Sequence, residues 1–222
     1  MQRVILACRT LEQELLTAIA AENCQDPVFW LEGGAHNVPS KRREEIQTAL
    51  DSLPPCDTVL LAMSLCGGSI SGLQTRNFRM VVPRCDDCIT LLLGSHNRRM
   101  AYPATYFLTE GWLRGSGNIW NEYQYCMKKY GSRRGKRIFT AMLAHYQNLA
   151  LVDTGCSHSS TEGQVQEIAR TLNLNYLCIC GTLEYLQQLL RGNWDEERFL
   201  LLSPNQTVPQ DISIGKGECH GL

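Results

Sequence analysis

VVPRCDDCITLLLG, residues 81–94, changes character half-way along. Val81 and Val82 close a continuous apolar run of the kind that makes a buried strand, and Ile89 to Leu93 begin a helical pattern. Cys85 and Cys88 sit at the seam. The same change recurs along the chain. RVILAC (3–8) reads as a first strand ending at a cysteine, followed by a helix over roughly 10–22. FWLEGG is a strand running into a loop, and SKRREEIQTALDSL is a helix with Ser40 as its N-cap. A strand over about 58–65 stops at Cys66-Gly67-Gly68, and ATYFLTEGW supplies the next. Helices are expected over 118–130 and 135–147, then NLALVDTGC, a helix, NYLCIC, a helix and RFLLLSP.

Strands with continuous apolar runs, alternating with helices, specify an α/β protein with a mostly parallel sheet covered on both faces. The segments before and after about residue 100 each open strand-helix-strand and each carry a Gly/Cys loop. The expected organisation is a first α/β lobe over 1–99, a second over 100–203 and a tail over 204–222. Each lobe would be a Rossmann-like three-layer sandwich, the two facing across a cleft, with a single sheet as the alternative.

The chain has 222 residues, 21 Lys and Arg against 22 Asp and Glu, and a net charge of −1. That balance argues against nonspecific nucleic-acid binding. Nothing approaches the roughly 18 apolar residues of a membrane span, so no membrane partner is expected. The N-terminal MQRVILACRT has too short an apolar part for a secretory signal, and a cytoplasmic location is expected. Eleven cysteines are many for such a location, and an odd number cannot all pair within the chain. Reduced thiols remain, as metal ligands, nucleophiles or packing.

Cys8, Cys66, Cys85 and Cys156 fall at the C-terminal ends of expected strands, and Cys88 begins the helix after one. In parallel α/β sheets these ends share the edge where ligands bind. Thiols from separate segments are therefore expected to converge, and Cys8, Cys66, Cys88 and Cys156 are the candidate ligands of a soft ion or cluster. Small apolar filling at strand ends and thiol chemistry without metal are the alternatives. His36 and His158 could reach the same edge. The paired C-x-x-C arrangement of a zinc ribbon is absent.

SLCGGSISG and DTGCSHSSTEG are small, hydroxyl-rich turns that could hold an anionic group on backbone N–H groups, Gly67 and Gly68 among them, although tight turns need glycine in any case. Arg84 could balance a thiolate site. YGSRRGKR (130–137) is basic and could meet a phosphate tail or simply face water. Trp112, in a Gly-flanked stretch, could line a pocket, and Glu110 beside it could act as acid, base or ligand.

SLCGGSISGL, VVPRCDDCITLLLGS, TYFLTEGW and YQYCMKKYG, in that order and with ILAC near the start, resemble a widespread domain family of unknown function over most of residues 3–203. The resemblance implies a protein of methanogens and other anaerobes, encoded beside corrinoid-dependent methyltransferases. Cys8, Cys66, Cys88 and, less closely, Cys156 match its motifs, with Gly67 and Asp87 beside them, whereas Cys85 departs from the pattern. No D-x-H-x-x-G corrinoid-binding signature occurs, so a corrinoid would belong to a partner.

Three functions are compatible with these residues. The first is a zinc or iron–sulfur protein of corrinoid-linked one-carbon metabolism, handling a small-molecule substrate by methyl or thiol transfer. In it Cys8, Cys66, Cys88 and Cys156 would be ligands, His36 and Glu110 proton handlers, and Gly67, Gly68, Arg84, Asp87 and Trp112 the substrate or cofactor seat. The second is a noncatalytic accessory that binds a methyltransferase or corrinoid protein. The third is a metal-free enzyme with Cys66 or Cys88 as nucleophile.

Overall fold

The structure, a computed structural model, describes residues 2–32, 38–115 and 117–212. Among them the chain alternates strand and helix as its apolar pattern dictates. Strands β1 (Arg3–Cys8), β2 (Val28–Leu31), β3 (Thr58–Ala62), β4 (Arg79–Pro83) and β8 (Phe199–Leu202) form one sheet in the order β2-β1-β3-β4-β8. The first four are parallel, and β8 runs antiparallel to β4, with Met80 opposite Leu202 and Pro83 opposite Phe199. Strands β5 (Thr105–Leu108), β6 (Asn148–Asp153) and β7 (Asn175–Cys180) form a second, wholly parallel sheet.

Eight α-helices connect these strands among the described residues: α1 (Glu12–Ala21), α2 (Pro39–Asp51), α3 (Cys88–Leu93), α4 (His96–Met100), α5 (Glu110–Arg114), α6 (Ile119–Met142), α7 (Thr161–Leu172) and α8 (Glu184–Arg191). Helix α2 starts two residues earlier than its sequence suggests, with Val38 rather than Ser40 at the N-cap. Pro39 opens it, since its fixed φ suits a first turn, and Ser40 lies inside rather than capping.

The side-chain period of two divides each sheet between two cores. In the first sheet Val4, Leu6, Val59, Leu61 and Met80 face Ile46 and Leu50 of α2. Ile5, Ala7, Leu60 and Val81 face the other way, onto Leu15 and Ala18 of α1, Leu91 and Leu92 of α3, and Leu186 and Leu189 of α8. The same helices meet Phe107, Ala150, Val152 and Ile179 of the second sheet. Its far face packs Leu108, Leu149 and Leu151 on Cys126 and Phe139 of α6 and on Val165, Ile168 and Ala169 of α7. The order of layers is thus α2, sheet, a middle layer of α1, α3 and α8, sheet, α6 with α7. Each fully buried leucine of the middle layer contributes roughly 1.5–3 kcal/mol by leaving water.

The expected α/β architecture is present, with the two sheets sharing one helical layer. The last strand lies in the first sheet, not with the strands of residues 100–203. Its FLLL pattern signals burial without saying which sheet it joins, and α8 in the shared layer can lead to either. Residues 119–142 are helical on both sides of Gly131, whose φ of 74° and ψ of 159° break the run. No helix among the described residues is long and apolar enough to cross a membrane.

The first sheet has its topological switch point between β1 and β3, because the chain turns outward to β2 before returning to β3. Crevices outside the C-terminal ends of strands at such a point are where open α/β sheets bind ligands.

Candidate functional site

The segment leaving β3 makes a tight turn at this crevice. Cys66 has a φ of 46°, and Gly67 and Gly68 follow at 62° and 83°, three consecutive left-handed residues. Glycine adopts this backbone freely, but a residue with a β-carbon resists it at a cost of order 1–3 kcal/mol. The surroundings hold Cys66 there. Leu65 N donates to Cys85 O at 2.8 Å, Gly68 N to Leu65 O at 3.0 Å, and the Ser69 hydroxyl to Cys66 O at 2.6 Å.

Cys88 is the first residue of α3. Asp87 caps that helix by accepting from Thr90 N at 2.8 Å, which fixes the direction of the Cys88 side chain. The Ser64 hydroxyl lies 3.2 Å from Cys66 Sγ and 3.5 Å from Cys88 Sγ. The two thiols thus converge on one hydroxyl. Cys88 holds Cys66 below the ordinary thiol value against the opposing effect of burial, with help from Ser64 and from the charge of Arg42. Cys88 is pushed well up by its interaction with Cys66 and by burial. The two thiols are therefore driven apart in acidity, Cys66 being the more acidic.

Beneath them lies Arg42, a buried guanidinium on α2. It donates to Cys8 Sγ at 3.4 Å, to Glu32 O at 2.8 Å and to Glu45 at 3.1 Å. Cys8 is fully buried, with Sγ 3.1 Å from the Thr10 hydroxyl. Cys85 is buried among apolar neighbours, which pushes its thiol up to about 12 and makes it a packing residue.

Above the pair opens a cavity of about 320 Å³. Cys66, Gly67, Asp87, Cys88, Ile89 and Arg99 form one side, and Thr105, Tyr106, Phe107, Thr109, Trp112 and Tyr146 the other, with Thr10 and Leu11 between. One wall thus comes from the first sheet and the other from the second. Arg99 pairs with Asp87 at 2.8 Å and stands over the Phe107 ring at 5.3 Å. The floor is thiol and the far wall aromatic, a suitable lining for a small, partly apolar molecule.

The residues singled out in the sequence are only partly gathered here. Cys66, Cys88, Gly67, Asp87 and Trp112 line the cavity, and Cys8 lies close by under Arg42. Cys156 is elsewhere, in the loop after β6, donating to the Thr17 hydroxyl at 3.4 Å. Glu110 lies outside the lining. It accepts from Arg114, from His158 N at 2.5 Å and from the Thr161 hydroxyl at 2.8 Å. Burial pushes its carboxyl up, but these donors outweigh burial and hold it below the usual value, so it ties α5 to the loop before α7 as a carboxylate. Gly68 accepts from Arg43 through its carbonyl at 3.3 Å, and Arg84 donates to Phe199 O at 3.3 Å, beside β8. His36 lies outside the described residues. Among the described residues no group of three His, Cys, Asp or Glu side chains is arranged to hold a metal ion.

Several residues of the site were not singled out in the sequence. Arg42, Ile46 and Leu50 fall at intervals of four on α2, so Arg42 occupies a place on the buried stripe, and that spacing was the available signal. Ser64, Arg99, Tyr106 and Tyr146 carried no comparable mark.

Residues 30–190 match the family described as "Protein of unknown function (DUF1638)", and the chain belongs to that family. The match contains the Cys66–Cys88 pair and every cavity residue except Thr10 and Leu11. No curated protein and no solved structure matches the chain.

Proposed function

We propose that this DUF1638 protein works on a small molecule through the thiolate of Cys66, with Cys88 holding the proton beside it. The observation that carries the reading is the Cys66 and Cys88 thiols brought together on the Ser64 hydroxyl at the floor of an aromatic-walled cavity. A thiolate is the nucleophilic form of cysteine, and a neighbouring donor raises its population near neutral pH. The left-handed backbone at Cys66 adds to the reading, because such strain collects where function requires it. Attack on an electrophilic carbon would form the sulfur–carbon bond and expel the leaving group with its electron pair. The Cys88 thiol would then supply the proton that the leaving group takes up.

A second reading has its own support in Arg42. This one buried guanidinium donates to Cys8, and its charge reaches Cys66. Three thiolates around a zinc ion would carry one net negative charge, which Arg42 would offset. Zinc is favoured over an iron–sulfur cluster because Cys156 is engaged with Thr17; Cys8, Cys66 and Cys88, which are not gathered around one point among the described residues, would have to close on the ion. When bound, such an ion would act as a Lewis acid toward a thiol or another acceptor. The resemblance of the motifs to a family of methanogens and other anaerobes, encoded beside corrinoid-dependent methyltransferases, supports placing either chemistry in cytoplasmic one-carbon metabolism. A corrinoid protein or methyltransferase would then be the partner.

The test is anaerobic alkylation with iodoacetamide, read by peptide mass spectrometry, beside elemental analysis of the same samples. Exposed Cys178, whose pKa is raised chiefly by desolvation, serves as the internal reference. Cys66 should react at least tenfold faster than Cys178 at pH 7, and more slowly in Cys88→Ala. Equal rates for Cys66 and Cys178 in metal-free protein would overturn the nucleophile. Stoichiometric zinc in the wild type, lost in both Cys66→Ser and Cys88→Ser while the fold persists, would establish the second reading instead.

A further inference from the structure

The break at Gly131 has a consequence for charge. Cys126 and Gly135 are nine residues apart, which is about 13.5 Å along a straight helix. Here a β-carbon on Gly135 would lie 2.7 Å from Cys126 O, so α6 folds back on itself at Gly131. The reversal crowds Lys128, Lys129, Arg133, Arg134, Lys136 and Arg137 around one tip, and all six are exposed. None of them is in an ion pair among the described residues. Lys129 Nζ stands 5.1 Å from the Tyr125 ring and 5.3 Å from the Tyr130 ring, and Arg134 is 5.8 Å from the latter. The rings hold the cations in place without neutralising them.

A cavity of about 710 Å³ opens at this tip, and Tyr130, Ser132, Arg133, Arg134 and Arg137 line it. We propose that it binds an oligophosphate, a chain of two or more phosphoryl groups either free or carried on a nucleoside. Guanidinium groups match phosphate oxygens with paired hydrogen bonds, and three of them around one cavity suit a compact anion of several charges. The remainder of the chain favours a compact ligand too. With the six cations set aside, it carries 15 basic residues against 22 acidic, and would repel a long polyanion extending beyond the tip.

The test is calorimetric titration of the full chain with inorganic triphosphate and with ATP at fixed ionic strength. Saturable binding is expected, weakening at higher salt, and falling at least tenfold in Arg134→Ser/Arg137→Ser. Lys128→Ser, outside the cavity lining, should change it by less than threefold. Tighter binding of ATP supports a nucleoside-borne ligand, and equal binding supports a free phosphate chain. Absence of saturable binding would overturn the proposal. So would undiminished binding by the double variant with unchanged circular dichroism, or binding of heparin alone.

Discussion

The carbonyl oxygen of Thr10 stands 2.1 Å from the position that a β-carbon on Gly111 would take. Glycine is therefore what lets α5 rest against the 3-10 turn that follows β1. Thr10 and Trp112, on either side of this contact, both line the thiol cavity. Gly111→Ala must push backbone from backbone, and should destabilise the protein by at least the 1–3 kcal/mol or so of ordinary overpacking. Gly117→Ala, where a β-carbon meets nothing within 4 Å, is the control. Urea midpoints of the two variants decide the matter, and equal midpoints would refute the contact.

Glu14 gives a dependence on pH. Its side chain is 3 % exposed, and neither its Oε2 nor the Thr154 hydroxyl has a hydrogen-bond partner. Burial is the main cause that raises its pKa above 4.5. A raised value in the folded state means that its contribution to stability is complete below the unfolded pKa and is lost as pH rises through the folded one. Glu14→Gln should match the wild type at pH 4 and exceed it at pH 8, by about 1–3 kcal/mol, the cost of a buried group without a partner. A variant less stable than wild type at pH 8 contradicts this account.

Arg42 is expected to act on the thiols from below. Replacing it with Met removes its bonds to Cys8, Glu32 O and Glu45, at about 2–3 kcal/mol for charged donors in a buried site. Its charge also lowers the Cys66 pKa. The pH at which iodoacetamide attacks Cys66 at half-maximal rate should therefore rise in Arg42→Met and recover in Arg42→Lys. Glu45→Gln should leave it unchanged. A profile indifferent to the charge at position 42 would separate Arg42 from the thiol pair.

The seam at residues 81–94 was legible because an apolar run and a helical pattern need only local sequence. Placing Cys66 and Cys88 at one edge followed from the same logic, since parallel strands point their ends alike. Cys8 shows where the logic weakens. It ends its strand as expected, yet strand alternation turns its side chain to the α2 face, where a buried arginine meets it. Cys156 sits at an edge of the right kind on the other sheet, and no local pattern reports which sheet a strand enters. Glu110 had the composition of an acid–base residue, but its donors come from residues 114, 158 and 161, two of them far along the chain. The aromatic wall was illegible for the same reason. Tyr106, Trp112 and Tyr146 are scattered in sequence and meet only when the second sheet and its helices are assembled.

The helical layer between the sheets has a price in divisibility. Helices α1, α3 and α8 are drawn from both ends of the chain and cover two sheets at once, while β8 closes the edge of β4 after the second sheet is complete. A fragment ending near residue 100 would expose apolar faces of α1 and α3 to water and leave β4 as an open template for foreign strands. Neither half covers its own apolar faces, and the thiol cavity takes its two walls from the two sheets.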